Sequence, residues 1–388
     1  MPARPIHVLE LRSVLGTGGG PEKTILRGAA RTDHERFAIT VCYIRDQRDH
    51  VFALGQLAAS LGVDYVEIPE RHSFDRTIWP ALRQVVRERR IDIVHSHEYK
   101  TDLLALLLAR AEHVIPLATA HGWTGRNRRE RLLYYPVDRF LLARFPRIIA
   151  VSGQIRAQLI ASGSAGDRVS TVLNGIDPDM FRREPARRAP ARLSLNLPDD
   201  ATVIGSIGRL EPQKRFDLLI EAFAALRQGH PGLRLVIAGD GSLRAELDQL
   251  VHRLGLEGAC VLAGHRTDVI DVLHAFDLFV QSSDYEGTSN ALLEAMAVET
   301  PVVATTAGGT SEMMEDQVHG LLVPTGNLPA LVDAIARALA DKAATARRAG
   351  AARRRIEHEL SFDARMRTVE RIYEDLAATR PAGRMDAA

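Results

Sequence analysis

Residues 203–219 read VIGSIGRLEPQKRFDLL, from Val203 to Leu219. A short apolar run gives way to a glycine turn and then to a segment of helical period. Residues 8–24, VLELRSVLGTGGGPEKT, open in the same way. Around each opening, β-branched runs alternate with longer helical segments. In the first half the strand-like runs are Ile6–Leu11, Ala38–Tyr43, Val63–Ile68, Ile91–His95, Leu117–Ala120, Ile148–Val151 and Val169–Leu173. In the second half they are Thr202–Ile207, Leu233–Ala238, Cys260–Ala263, Leu278–Gln281 and Val302–Thr305. Strands that alternate with helices make parallel α/β layers. The pattern predicts two doubly wound, Rossmann-like domains that face each other across a ligand-holding cleft. No residue-level repeat links the halves. Between them residues 177–200, rich in Pro and Arg and without period, read as the interdomain connection.

Composition narrows the function. The 388 residues suffice for two or three domains, and 46% of them are hydrophobic, enough to bury a core in each. Fifty basic residues against 49 acidic ones leave a net charge of +1, which excludes a nucleic-acid-scale polycation. Two cysteines, Cys42 and Cys260, cannot build a disulfide framework or a zinc cluster, and they suit a reducing compartment. The start, MPARPIHVLEL, reads as a strand and not as a signal peptide. The apolar run from Leu103 to Ala109 is too short to span a bilayer. The expectation is a soluble, cytoplasmic protein.

Several motifs then carry chemistry. The segment from Gly16 to Thr24 fails both the dinucleotide fingerprint, because Pro21 stands where its last glycine belongs, and the Walker A loop, because Glu22 precedes Lys23. Its glycines still allow backbone N–H groups to approach an anion at a helix N-terminus. Asp177-Pro178-Asp179 has the look of a metal-binding D-x-D, but it falls in the connection and not after an interior strand. In His95-Ser96-His97-Glu98 the two imidazoles share one face of a strand, where facing the cleft suits them better than metal ligation. The strongest signal is DYEGTSNALLEAMA, residues 284–297. Thr288 or Ser289 suits the N-cap, which leaves Glu286 in the turn and Glu294 inside the helix. The free N–H groups of that first turn favour an anionic ligand, and a carboxylate within the apolar run would be satisfied by two sugar hydroxyls. Arg209 and Lys214, around the turn of the opening stretch, suit a diphosphate.

In this order GGGPEKT, DIVHSHE, ATAHG, VLNGID, SIGRLEPQK, IAGDG, YEGTSNALLEAMAVETPVVATTAGG and HGLLVP resemble the retaining glycosyltransferases of the GT-B fold, family 4, over nearly the whole chain. The resemblance implies an acceptor-side domain over 1–177 and a nucleotide-sugar domain over 178–361. Residues 362–388 would be a helix that returns to the first domain, followed by a tail. Arg209 and Lys214 would bind the diphosphate and stabilise the departing charge, which needs no metal. Glu294 would hold the ribose hydroxyls, and Glu286 would sit by the transferred sugar. Thr288, Ser289 and Asn290 would line the sugar and phosphates. His121 would contact the sugar near the reacting carbon, while Gly18 and Gly19 would approach phosphates and acceptor. Many relatives read E-G-F-G-L where this chain has Glu286-Gly287-Thr288-Ser289-Asn290, so the donor sugar stays open among UDP-N-acetylglucosamine, UDP-glucose and GDP-mannose.

The reaction implied is retaining transfer to a glycan or polyprenyl-linked acceptor in the assembly of a surface or exported polysaccharide. Residues 122–148 carry seven arginines against Glu130 and Asp138, with aromatic and aliphatic residues between them. Such a segment either covers the sheet of the first domain or lies on the inner face of an anionic membrane. The rival readings are a sugar-nucleotide epimerase of the same fold and a non-catalytic nucleotide-sugar scaffold. A phosphorylase would need a pyridoxal lysine, and none occurs between Lys214 and Lys342.

Overall fold

The computed structural model describes residues 4–14, 20–49, 52–72, 75–122 and 135–379. The chain divides into two compact units, Met1–Asn174 with Phe362–Ala388, and Gly175–Ser361. In the first unit β1 (Ile6–Val14), α1 (Gly20–Ala30), β2 (Phe37–Asp46), α2 (Leu54–Ser60), β3 (Asp64–Glu70) and α3 (Ile78–Glu88) come first. They are followed by β4 (Ile93–Ser96), α4 (Tyr99–Glu112), β5 (Ile115–Ala120), α5 (Tyr135–Leu142), β6 (Arg147–Ala150), α6 (Gly153–Ala161) and β7 (Val169–Thr171). The second unit runs α7 (Arg188–Ser194), β8 (Thr202–Ile207), α8 (Phe216–Arg227), β9 (Leu233–Ala238), α9 (Arg244–Arg253) and β10 (Cys260–Gly264). It continues with α10 (Val269–Ala275), β11 (Leu278–Gln281), α11 (Asn290–Ala297), β12 (Val302–Thr305), α12 (Thr310–Met313), β13 (Leu321–Val323), α13 (Leu328–Ala340) and α14 (Lys342–His358). Helix α15 (Phe362–Ala378) belongs to the first unit.

Each unit holds one parallel sheet. The orders are β3-β2-β1-β4-β5-β6-β7 and β10-β9-β8-β11-β12-β13. Both sheets are doubly wound, and strand order reverses where β1 meets β4 and where β8 meets β11. In such sheets ligands bind beyond the carboxyl ends of the strands at that switch point.

Helices cover both faces of the first sheet, so its strands are apolar on both sides. Leu9 and Leu11 of β1 pack with α3, α4 and α6 through Leu82, Leu108 and Leu159. Val8 and Val14, one residue out of phase, pack on the opposite face with Leu26 of α1 and with Met366, Val369, Ile372 and Leu376 of α15. The period of two places Glu10 and Arg12 on this second face, with Val8 and Val14. In β4 and β5 the members of that face are Ile93 and Leu117. His95 and Thr119 therefore share it as well.

In the second unit a Cβ at Gly205, in the middle of β8, would come within 2.1 Å of the Phe276 ring. Gly239, with φ of +147°, lies so close to the turn after β8 that a Cβ there would meet the Gly208 carbonyl oxygen at 1.8 Å. The two glycine turns fit together only without side chains.

One sequence expectation is corrected. Residues 177–200 are not a bare connection, because they contain α7. Arg192 is 1% exposed and donates to the Asp199 carbonyl at 2.6 Å, the Ala201 carbonyl at 2.9 Å and Asp277 Oδ2 at 2.8 Å. A buried guanidinium, and not an apolar stripe, anchors this helix, which is why hydrophobic period did not reveal it. The short strand β13 also escaped the sequence reading.

Candidate active site

The opening stretch 203–219 folds as strand β8, a turn and helix α8. Pro212 starts a single 3-10 turn over Pro212–Lys214, and Arg215 follows at φ 49°. A side chain in the left-handed region is strained. Arg215 is held there by contacts to Asp217 at 3.1 Å and to Asp284 at 2.9 Å. Asp284 lies in the loop after β11, and its N–H donates to the Gln213 carbonyl at 2.8 Å. Ser282 Oγ donates to the Lys214 carbonyl at 2.8 Å. The two loops at the switch point are thereby stitched together.

At this seam Lys214 Nζ donates to Glu286 Oε1 at 2.6 Å, and Ser283 Oγ donates to the same oxygen at 2.6 Å. Glu286 is 8% exposed. The ammonium and the hydroxyl both meet one oxygen of this buried carboxylate, which offsets part of the cost of its burial. Its Oε2 has no partner among the described residues. Arg209 is exposed, and its side chain makes no ion pair among the described residues. The sequence missed Ser283 and Arg215, which support the predicted residues and whose roles depend on how the two loops meet.

Of the two sequence candidates for the N-cap, Ser289 holds it. Its Oγ accepts from the Leu292 N–H at 3.4 Å. Thr288 and Asn290 flank the cap and are half-buried. Glu294, one turn further on, is half-buried too and not sealed in the core. The loop after β12 closes over the turn, for the Gly309 N–H donates to the Gly287 carbonyl at 3.1 Å. The structure thus gathers Arg209, Lys214, Glu286, Thr288, Ser289, Asn290 and Glu294 around one switch point. A cavity of about 960 Å³ in this unit lies at the opposite end of the strands and contains none of them.

In the first unit Gly18 and Gly19 lie outside the described residues. His121 follows β5. Around it the structure assembles a cluster of which the sequence showed only the histidines. His95 and His97 share a face, as the strand period predicts, with ring centroids 4.5 Å apart. They do not face an open surface: both are buried, at 1% and 3% exposure, beneath α15. The register of β1 on β4 sets Glu10 opposite His95. Glu10 Oε1 accepts from Tyr373 of α15 at 2.7 Å and lies 3.1 Å from His95 Nδ1, while Oε2 bonds His97 Nε2. His95 Nε2 meets Thr119 Oγ1 at 2.7 Å. His97 Nδ1 lies 3.3 Å from His121 Nε2.

Burial opposes a charge on Glu10, but the two imidazoles and their hydrogen bonds outweigh it and hold the carboxyl well below its usual range. Burial pushes the His97 imidazole down to about 4, against the pull of Glu10. His121 is lowered by burial and by the Arg12 guanidinium. Burial and the Glu10 charge push Tyr373 up, so its hydroxyl stays a donor. Ser96, on the other face, donates to Asp102. Asp177, first residue of the D-x-D, accepts from the Asp179 and Met180 N–H groups at 3.0 and 3.2 Å, an ordinary turn cap.

Two family models match the chain: glycosyl transferases group 1 over residues 188–355 and glycosyltransferase family 4 over residues 18–180. EpsD of Bacillus subtilis (strain 168) is 31% identical over 292 residues, covering 72% of this chain and 76% of EpsD. The lipopolysaccharide core biosynthesis mannosyltransferase LpsB of Rhizobium meliloti (strain 1021) is 30% identical over 246 residues, 62% of this chain and 68% of LpsB. Among solved structures, HepE of Anabaena in complex with UDP-glucose superposes with a TM-score of 0.83 at 22% identity. The match covers 95% of this chain and all of that one. With these matches and two doubly wound parallel sheets, the chain belongs to the group 1, family 4 glycosyltransferases of the GT-B fold.

Proposed function

We propose that the chain is a retaining glycosyltransferase that takes a hexose from a nucleoside diphosphate without a metal ion. The acceptor is a glycan or a polyprenyl-linked sugar, in the assembly of a surface or exported polysaccharide. The donor class is UDP-glucose, UDP-N-acetylglucosamine or GDP-mannose. HepE binds UDP-glucose and LpsB is a mannosyltransferase of lipopolysaccharide core synthesis, which supports the class but does not choose within it.

The observation that carries this reading is the Lys214–Glu286 pair at the β8/β11 switch point, beside an exposed Arg209 that lacks a carboxylate partner among the described residues. Glu286 fixes the Lys214 ammonium, and the strained Arg215 turn fixes the loop between them. Two positioned cations can take the charge that develops on a departing diphosphate. The bond from the anomeric carbon to the phosphate oxygen breaks, and the acceptor hydroxyl bonds on the same face. Its proton goes to the leaving phosphate. The spare Oε2 of Glu286 and the half-buried Glu294 are acceptors for sugar and ribose hydroxyls. The basic segment 122–148 is the proposed contact with an anionic membrane, at the cytoplasmic face.

A thermal-shift screen with UDP, GDP, ADP and their sugar conjugates, all in EDTA, tests this. A ligand at 100 times its Kd adds about 2.7 kcal/mol to stability. A shift with one base that Glu294→Ala abolishes, together with a kcat about 10²- to 10³-fold lower in Arg209→Ala, is the expected outcome. A folded protein that no nucleotide shifts would sink the proposal.

A further inference from the structure

We propose that Glu10 sets, through His97, the tautomer of His121, so that His121 meets its ligand as a hydrogen-bond acceptor at Nδ1. The inference rests on the reading that His121 touches the transferred sugar, and adds to it which ring atom does so and in what protonation state. It follows from the chain of contacts Glu10–His97–His121, each step of which allows one assignment.

Glu10 is a buried carboxylate and can only accept. His97 Nε2, bonded to Glu10 Oε2, is therefore the protonated nitrogen of that ring. In a neutral imidazole the other nitrogen then carries a lone pair. His97 Nδ1 is that atom, and it faces His121 Nε2 at 3.3 Å. A lone pair there requires the proton on His121 Nε2, which leaves His121 Nδ1 as an acceptor. Among the described residues Nδ1 of His121 has no protein partner.

The surroundings keep the chain in this state. The Tyr373 hydroxyl donates to Glu10 Oε1, His95 Nδ1 lies 3.1 Å from the same oxygen and 2.9 Å from that hydroxyl, and His95 Nε2 meets Thr119 Oγ1 at 2.7 Å. Every ring nitrogen of His95 and His97 has a partner, His95 Nδ1 two of them, and the ring centroids lie 4.5 Å apart. The Arg12 guanidinium donates to the His97 carbonyl at 2.9 Å, and with Arg365 of α15 it makes protonation of His121 costly. Burial keeps His97 neutral at physiological pH. The Glu10, His95 and His97 atoms lie within 4.8 Å of one another, near enough for a metal ion. The hydrogen bonds already use every one of those atoms, so a proton network accounts for the cluster without one.

Glu10 and His97 are positioning residues in this scheme. Glu10→Gln keeps the shape but offers an NH2 group to His97 Nε2. That reverses the chain and leaves His121 with a proton on Nδ1. Nitrogen-15 spectra of histidine-labelled wild-type protein, assigned with His97→Gln and His121→Gln, read the tautomers without any assay. The expected result is a proton on Nε2 in both rings, and a His121 signal that moves to the other tautomer in Glu10→Gln. A fall of about 10- to 100-fold in kcat should accompany that move, with little change in KM. Wild-type spectra with His121 protonated at Nδ1 would overturn the proposal, as would zinc that shifts the His95 and His97 signals together. If the tautomers are as assigned but His121→Gln retains full activity, the contact to the sugar is wrong and the tautomer chain stands.

Discussion

Lys214 and His97 each meet a carboxylate, in different settings. Lys214 pairs with Glu286 at 2.6 Å, while His97 is wholly enclosed beside Glu10 and stays neutral. The second case has a measurable consequence. The folded pKa of His97, about 4, lies below the ordinary value of 6.5. Between those values the unfolded chain binds a proton that the folded chain refuses, so stability falls as pH falls from 6.5 to 4. The loss over the whole window is about 3 kcal/mol. Glu10 acts with the same sign lower down, for its carboxyl is depressed and its contribution is lost in acid. Asp102 and Glu98 act oppositely, because burial raises both and they take up protons more readily when folded. Urea unfolding at pH 5 and pH 7 in wild type and His97→Gln separates these contributions. A shallower pH dependence in the variant is expected, and an unchanged one would show that His97 contributes nothing.

Helix α7 and the loop after β11 are elements whose positions come from polar contacts. Asp277, just before β11, accepts from the Val203 N–H at 2.8 Å, from Arg192 and from Arg188 at 2.6 Å, and so ties α7 to the entry of β8. Replacing Arg192 with Met keeps much of its volume but strips the Asp199 and Ala201 carbonyls of their donor. Asp277 keeps Arg188, so the cost is that of a broken buried pair only in part, about 3 kcal/mol. In calorimetry of Arg192→Met the transition of the second unit should move down. An unmoved transition would mean that α7 does not anchor that unit. The site elements, in contrast, were legible in the sequence. Four strands of the second sheet have the bounds that the apolar runs give, and Ser289, one of the two N-cap candidates, opens α11, because apolar period and N-cap chemistry act within a few residues.

For the whole molecule, the return of α15 to the first unit matters most. Met366, Val369, Ile372 and Leu376 complete the core that β1 and α1 begin, and Tyr373 supplies a hydrogen bond to Glu10. The hydrogen-bonded cluster around His121 thus depends on residues from both ends of the chain. The proposed membrane contact belongs to this scale too. Residues 123–134 of the basic segment, including Arg126, Arg128, Arg129 and Arg131, lie outside the described residues. In the described part, Val137 and Phe140 of α5 are 53% and 60% exposed, and Tyr99, Leu103 and Leu107 rise on the adjoining α4 at 44%, 47% and 41%. Among the described residues no helix is long and apolar enough to cross a membrane. Flotation with vesicles should require anionic lipid and should weaken when Arg139, Arg144 and Arg147 are replaced by Gln. Absence of flotation at low salt would remove the membrane contact.

The sequence alone determined the alternation of strands and helices, the two glycine-turn openings and which cations and carboxylates stand near the second unit's switch point. Those residues sit within short segments or follow known family motifs, so local spacing places them. Only the tertiary structure decided that Glu10 stands opposite His95, 85 residues away, and that Tyr373 closes the cluster from 278 residues away. The same holds for Arg192 as the buried anchor of α7 and for the seam between Arg215 and Asp284. Parallel pairing and helix return bring such residues together through long crossovers, and no local period records which strand will lie beside which.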